Sequence, residues 1–173
     1  MVEAILALGS NLGDRVENLR AAVEEIGRSA RIIVTSGVYQ TEPMYYERQG
    51  PFLNCALAIE TNASPSELLS RLKAIEEHIG RRPGGPRYGP RKIDIDILFY
   101  GDVVSSDPAL SIPHPKIAER AFVLVPLVEI RPRLVHPESG KTVAQMLAAL
   151  GSTEGVVRVP GLSVNPNPSR RTR

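Results

Sequence analysis

The sequence predicts an α+β fold with an antiparallel sheet, and two observations predict it. Stretches of strand-like and helix-like periodicity follow one another in the order strand, helix, strand, strand, helix, strand. Both helical stretches open on capping signatures that mark where they begin.

Val2 to Leu8 is apolar after Glu3 and suits a strand buried on both faces, ended by the turn Gly9-Ser10-Asn11-Leu12-Gly13. Asp14 then N-caps a helix with Glu17 three residues on, and Leu19, Ala22, Val23 and Ile26 form its apolar stripe up to Gly27. The β-branched run from Ile32 to Tyr39 predicts one second strand, and residues 40–51 a loop. Phe52 to Thr61 alternates, with Leu53, Cys55, Leu57 and Ile59 on one face and Phe52, Asn54, Ala56 and Ala58 on the other. Ser64-Pro65-Ser66-Glu67 combines an N-cap, a proline at the first helical position and a capping-box glutamate, ahead of Leu68, Leu72, Ile75 and Ile79. Gly80 ends that helix, and Lys92 to Tyr100 alternates again as a fourth strand. The order is ferredoxin-like, βαββαβ. A C-terminal third of short elements, with helices near Phe122 to Glu129 and Thr142 to Leu150, follows.

At 173 residues, with 42% hydrophobic and 23% charged, the chain suits one soluble domain with its own core. No apolar run approaches the roughly 20 residues of a membrane span, and the N-terminus lacks the basic lead-in of a secretory signal, which points to the cytoplasm. Cys55 is the single cysteine, so it reads as a small buried hydrophobe. Residues 154–173 carry four arginines against one glutamate, a net of +3, which leaves −1 for the other 153 residues out of the total +2. That body is too balanced for a general nucleic-acid binder. The expected division is a domain over 1–153 and a basic, proline-containing, disordered tail over 154–173.

The chemistry concentrates in Lys92-Ile93-Asp94-Ile95-Asp96-Ile97. If Ile93, Ile95, Ile97 and Phe99 share one side of the strand, Asp94 and Asp96 share the other, with Cα atoms about 7 Å apart. Paired carboxylates there suit magnesium held together with substrate phosphates. A pair that only protects a strand edge is the competing explanation, but aspartate is a poor strand former. Just before it, Gly80 to Lys92 contains only Gly, Pro, Arg, Lys and Tyr, with five cations and no acid. Guanidinium forks on such a loop match phosphate oxygens, and their adjacency to the aspartates favours phosphoryl transfer over a merely solvated basic loop. No Gly-x-x-x-x-Gly-Lys-Ser/Thr loop occurs, and the three histidines support no Ser/His/Asp arrangement. His114 is fixed between Pro113 and Pro115, a common turn setting. Phe52 and Asn54 share a face that could stack on and hydrogen-bond a flat heterocycle, or simply be half buried.

Taken in order, Gly9-Ser10-Asn11-Leu12-Gly13, Thr41-Glu42-Pro43, Phe52-Leu53-Asn54, Gly89-Pro90-Arg91-Lys92-Ile93-Asp94-Ile95-Asp96-Ile97 and Pro113-His114-Pro115 resemble the 6-hydroxymethyl-7,8-dihydropterin pyrophosphokinases, from about Val2 to Leu150. The resemblance implies a monomeric enzyme of folate synthesis in which ATP and the pterin meet over the sheet, with AMP and the pterin diphosphate as products. It implies Asp94 and Asp96 as ligands of two magnesium ions. Arg81 and Arg91 would contact the phosphates and stabilise the transition state, with Arg87 and Arg120 in support. His114, Lys73, Glu76, Ile97, Leu110 and Ser111 would complete the nucleotide site. Phe52 and Phe122 would sandwich the pterin, with Asn54 and the stretch Thr41, Glu42, Pro43 and Met44 reading its edge. Pro83, Tyr88 and Pro115 stand where some members place arginine, tryptophan and tyrosine.

Two other readings compete. Ferredoxin-like sheets also stack RNA bases, but this one carries acids where a nucleic-acid face needs cations and lacks an aromatic RNA-binding strand. Another two-metal nucleotidyl or phosphoryl transferase fits the aspartates equally well, so the resemblance alone selects the pterin.

Overall fold

A computed structural model describes residues 1–42, 49–80 and 91–166. In chain order the elements are β1 (Val2–Ser10), α1 (Arg15–Ser29), β2 (Arg31–Thr35), β3 (Tyr39–Thr41), β4 (Phe52–Thr61), α2 (Pro65–Ile79), β5 (Asp94–Tyr100), β6 (Ser105–Asp107), β7 (Leu110–Ile112), α3 (Ala121–Ile130), α4 (Val143–Leu150) and β8 (Val156–Arg158). The fold is α+β. Its main sheet is antiparallel in the order β5-β1-β4-β3-β8, with β2 also paired to β4, and β6 and β7 form a separate hairpin.

Both helix starts are made as the sequence predicts. Asp14 accepts the Glu17 amide on α1, and Ser64 and Glu67 close a reciprocal capping box on α2. The stripe Leu19, Ala22, Val23 and Ile26 packs with Leu68, Leu72 and Ile75 of α2 against Leu6, Leu57 and Ile59 of the sheet. On the opposite face Val123, Leu124 and Leu127 of α3, with Val143 and Met146 of α4, cover Ile5, Ala56 and Ala58. The sheet therefore lies between two helical layers, and the small side chains of Ala56 and Ala58 let α3 settle close to β4.

Three expectations are corrected. The predicted strand Ile32 to Tyr39 is two strands, because the Ser36 hydroxyl accepts the Ala56 amide at 2.8 Å in place of a ladder carbonyl and the Gly37 amide turns to Glu129 on α3. Phe99 does not share the side of Ile93, Ile95 and Ile97. Leu6 pairs with Ile97 but Ile5 pairs with Phe99, so Leu98 is an extra residue, and this bulge sends Phe99 into the α3/α4 layer beside Leu98. The third concerns residues 154–166, expected to be part of a disordered tail. Val156–Arg158 forms β8 on the outer edge of β3, and Val164 is buried in the α1/α2 core with Val159 and Leu162 packed beside it. Polar composition hid three well-spaced apolar anchors.

Val164→Ala should accordingly cost about 2 kcal/mol of stability, the loss of a buried aliphatic group plus its cavity. Urea unfolding checks this, and an unchanged midpoint would show the segment unpacked.

Candidate active site

A cavity of about 240 Å³ opens over the face of the sheet covered by α3. β1 supplies Ala7, Leu8 and Gly9 to its wall, β4 Phe52, Asn54 and Cys55, and β5 Asp94 and Asp96. Thr41 and Glu42 from the end of β3, Gln49, Lys73 of α2, Arg91, His114 and Arg120, Phe122 and Val123 at the start of α3 complete it.

Asp94 and Asp96 converge for the reason that alternation predicts: up to Ile97 the isoleucines of β5 lie in the α1/α2 core, so the residues between them face the other way. β5 is an edge strand, paired on one side with β1. On its other side the Ile95 amide, which lies between the two aspartates, donates to Glu76 Oε1 at 2.8 Å, and Glu76 is 1% exposed. Lys73 Nζ stands 3.8 Å from Glu76 and Arg91 Nη1 3.2 Å from Asp94. Burial, and then the charge of Asp94, push the Asp96 carboxyl up to about 7, against the pull of Arg120. Like charges are thus crowded at a partly screened position that a cation would relieve. Among the described residues no third His, Cys, Asp or Glu joins them as a ready-made metal cage. The donor set fits a hard cation that shares its shell with phosphate oxygens and water.

His114 is tied to the same strand, its amide donating to the Leu98 carbonyl at 3.0 Å. Burial, and then Arg120, pull its imidazole down to about 4, so the ring is neutral at pH 7. Nδ1 accepts the Lys116 amide, which puts the ring proton on Nε2. The Arg120 guanidinium lies over the Phe122 ring, 5.6 Å from its centre. Asn54 is 6% exposed and donates through Nδ2 to Thr41 Oγ1 at 2.7 Å. Its Oδ1 lies against Gly9, where a Cβ would come within 2.9 Å, so a side chain at position 9 would displace the amide.

Of the residues singled out from the sequence, Thr41, Glu42, Phe52, Asn54, Lys73, Arg91, Asp94, Asp96, His114, Arg120 and Phe122 meet at this cavity. Glu76 stands behind it as the acceptor of the Ile95 amide. Ile97 is in the α1/α2 core, and Leu110 and Ser111 lie on β7, which packs against β5 and α2 outside the cavity wall. Arg81, Arg87, Pro43 and Met44 lie outside the described residues.

Sequence reasoning missed Asn11. Its amide donates to the Arg91 carbonyl at 3.0 Å, its Oδ1 accepts the Arg91 amide at 2.7 Å, and its Nδ2 donates to Gln49 Oε1 at 2.7 Å. One side chain thereby joins the ends of three segments around the cavity. A polar residue in a turn gives no local sign of such partners.

A cavity over an α+β sheet, lined by paired carboxylates, arginines and aromatic rings, defines a site able to hold a polyanion beside a flat ring. The model of the 7,8-dihydro-6-hydroxymethylpterin-pyrophosphokinase (HPPK) family matches residues 5–132. A 2-amino-4-hydroxy-6-hydroxymethyldihydropteridine pyrophosphokinase of Methylorubrum extorquens is 44% identical over 161 residues, 92% of this chain and 99% of that one. One of Aquifex aeolicus is 41% identical over 137 residues, 79% of this chain and 85% of its own length. The folic acid synthesis protein fol1 of Pneumocystis carinii is 40% identical over 140 residues, and there the match spans only 19% of the relative. A Plasmodium falciparum HPPK-DHPS structure superposes with a TM-score of 0.71 over 86% of this chain and 44% of that one, at 19% identity, a likeness of fold. The chain belongs to the HPPK family.

The crowding of Asp96 gives a signed prediction for the metal-free protein. Its folded pKa is raised above the ordinary 3.8, so ionising it costs stability above about pH 7, and the cost fades as the pH falls toward 3.8. In chelating buffer Asp96→Asn should raise the melting temperature by a few degrees at pH 8 and leave it nearly unchanged at pH 4. An equal shift at both pH values would contradict the account.

Proposed function

We propose that the chain transfers pyrophosphate from ATP to 6-hydroxymethyl-7,8-dihydropterin, giving AMP and the pterin diphosphate, a step of folate synthesis. The observation that carries the reading is the joining of the two halves of such a site in one cavity: Asp94 and Asp96 of β5 with Arg91, and Phe52 and Asn54 of β4 with Phe122 of α3. Two pyrophosphokinases that the chain covers over 85% and 99% of their length support it.

Asp94 and Asp96 would hold magnesium, two ions in this reading. When bound, the metal supplies charge neutralisation on the phosphate oxygens and acidifies the alcohol. The hydroxymethyl oxygen attacks the β-phosphorus of ATP, the bond from that phosphorus to the α,β-bridging oxygen breaks, and AMP leaves with that oxygen. The alcohol's proton is lost to solvent or phosphate, so no strong protein base is required. Arg91, with Arg81 and Arg87 earlier in the sequence and Arg120 of the same cavity, would take up the charge growing on the transferred group. His114, neutral and carrying its proton on Nε2, can donate to an acceptor on the nucleotide. Lys73 and Glu76 of α2, with Ile97 of β5 and Leu110 and Ser111 of β7, would border the nucleoside. Phe52 and Phe122 would sandwich the pterin, whose polar edge meets Asn54, Thr41, Glu42 and the following Pro43 and Met44.

We take the acting unit to be a monomer. We likewise read the sheet order β5-β1-β4, with β2 and β3 beside β4, as ferredoxin-like. Among the described residues no helix is long and apolar enough to cross a membrane, and a cytoplasmic address accords with that.

The direct test is AMP release from ATP and magnesium, with and without the hydroxymethyldihydropterin. Release that does not depend on the pterin would refute the substrate assignment. Asp94→Ala and Asp96→Ala should abolish turnover while the far-ultraviolet circular dichroism stays native. Activity within a few-fold of wild type in either would remove them as metal ligands. Arg91→Ala should lower kcat by ~10²-fold with a smaller change in the affinity for an ATP analogue, because the charge it meets grows in the transition state. A loss confined to nucleotide affinity would assign Arg91 to ground-state binding instead.

A further inference from the structure

β3 is three residues long, yet its last residue, Thr41, is the partner that orients the buried Asn54 amide in the cavity wall. So short a strand has few ladder bonds with which to hold its place. On its inner edge it pairs with β4, and on its outer edge with β8, where Tyr39, Gln40 and Thr41 face Arg158, Val157 and Val156. The ladder extends one step further through the Val159 amide, which donates to the Val38 carbonyl at 2.8 Å.

Side chains lock the start of β3 as firmly. Glu129 of α3 accepts the Gly37 amide at 3.0 Å and the Tyr39 hydroxyl at 2.6 Å, and Arg158 Nη2 lies 3.5 Å from the same carboxylate. The Arg158 guanidinium rests flush on Gly37: a Cβ there would meet its atoms at 2.9 to 3.1 Å. Beyond β8, Val164 is buried in the α1/α2 core, and the Ser163 carbonyl accepts from Arg20 at 3.2 Å. The segment is therefore anchored at both ends, and it lies outside residues 5–132, where the family match falls.

We propose that residues 156–164 form a clasp, with Arg158 as its positioning residue, that sets the ring-binding end of the cavity by holding β3 so that Thr41 fixes the Asn54 amide. With Nδ2 committed to Thr41, Asn54 keeps its Oδ1 acceptor against Gly9 in the cavity wall, and the amide presents an acceptor to a ring edge that carries N–H donors. Releasing β3 lets the amide turn over, and that preference is lost. The inference rests on the pterin-binding reading of this end. It acts on that end alone, because β3 and β5 are separated by β4 and β1, about 14 Å across the sheet at the usual strand spacing.

The variants are Arg158→Ala, Arg158→Lys and Val157→Pro, in the full chain. Val157 is 63% exposed, and proline there removes a ladder donor without touching the Val164 anchor. Titration calorimetry would measure 6-hydroxymethylpterin in the presence of magnesium and a non-hydrolysable ATP analogue, and then the analogue alone. Arg158→Ala and Val157→Pro should weaken pterin binding by about tenfold, leave analogue binding within about twofold, and raise the KM for the pterin more than they lower kcat. Arg158→Lys, which keeps the charge beside Glu129, should recover part of the loss. Equal weakening of both ligands would mean general destabilisation, and no weakening of either would mean a strand that holds itself; each overturns the clasp. A wild-type protein that shows no pterin-dependent AMP release refutes the substrate reading instead, so the two failures are told apart.

Discussion

The hydrogen bond from the Ile95 amide to Glu76 pins β5 between the two residues whose carboxylates face the cavity. An edge strand has one row of backbone groups without a neighbouring strand, and here a buried glutamate from α2 takes up that row at the point where the site is built. With β1 on its other side, β5 has no freedom to twist its aspartates apart, and the isoleucines beneath them are locked in the α1/α2 core. Hydrophobic packing on one face of the strand thus holds like charges together on the other. The crowding shows in Asp96, whose carboxyl is pushed up by burial and by Asp94, and the nearby Arg120 and Lys73 offset part of it.

The cavity has two ends carried by different parts of the sheet. Asp94 and Asp96 depend on β5, β1 and α2, whereas Asn54 and Thr41 depend on β4, β3 and, through β3, β8. Asn11 stands between them. It binds both backbone groups of Arg91 and the side chain of Gln49, so the chain just before the carboxylates and the chain just before Phe52 share one anchor. A phosphate-facing end and a ring-facing end can in this way be set by separate contacts and still be registered to each other.

Much of this was legible in the sequence. Alternation brought Asp94 and Asp96 to one face, because a strand's two-residue period holds wherever the ladder is regular. The Asp14 N-cap and the Ser64/Glu67 capping box placed the starts of both long helices, because those signals are satisfied within four residues of chain. Where the ladder is irregular the same reasoning failed: the bulge at Leu98 turned Phe99 to the other layer, and nothing between Ile97 and Tyr100 marks it. Ser36 ended β2 through a hydrogen bond to Ala56, twenty residues away.

The sequence by itself determined the two periodicities, the starts of the two long helices, the pairing of the carboxylates and the membership in a family, since each depends on residues close in the chain or on motifs read in order; the end it marked for α1 at Gly27 gave way to Ser29. Only the tertiary structure decided that Asp96 is buried beside Asp94, that His114 hangs from β5, that Asn11 joins three segments, and that residues 156–158 join the sheet while Val164 enters the core. The physical reason is common to all four. Burial, the field of a neighbouring charge and a hydrogen bond to a distant backbone group belong to pairs of residues, such as Val164 against the core of α1 and α2, that no local pattern connects.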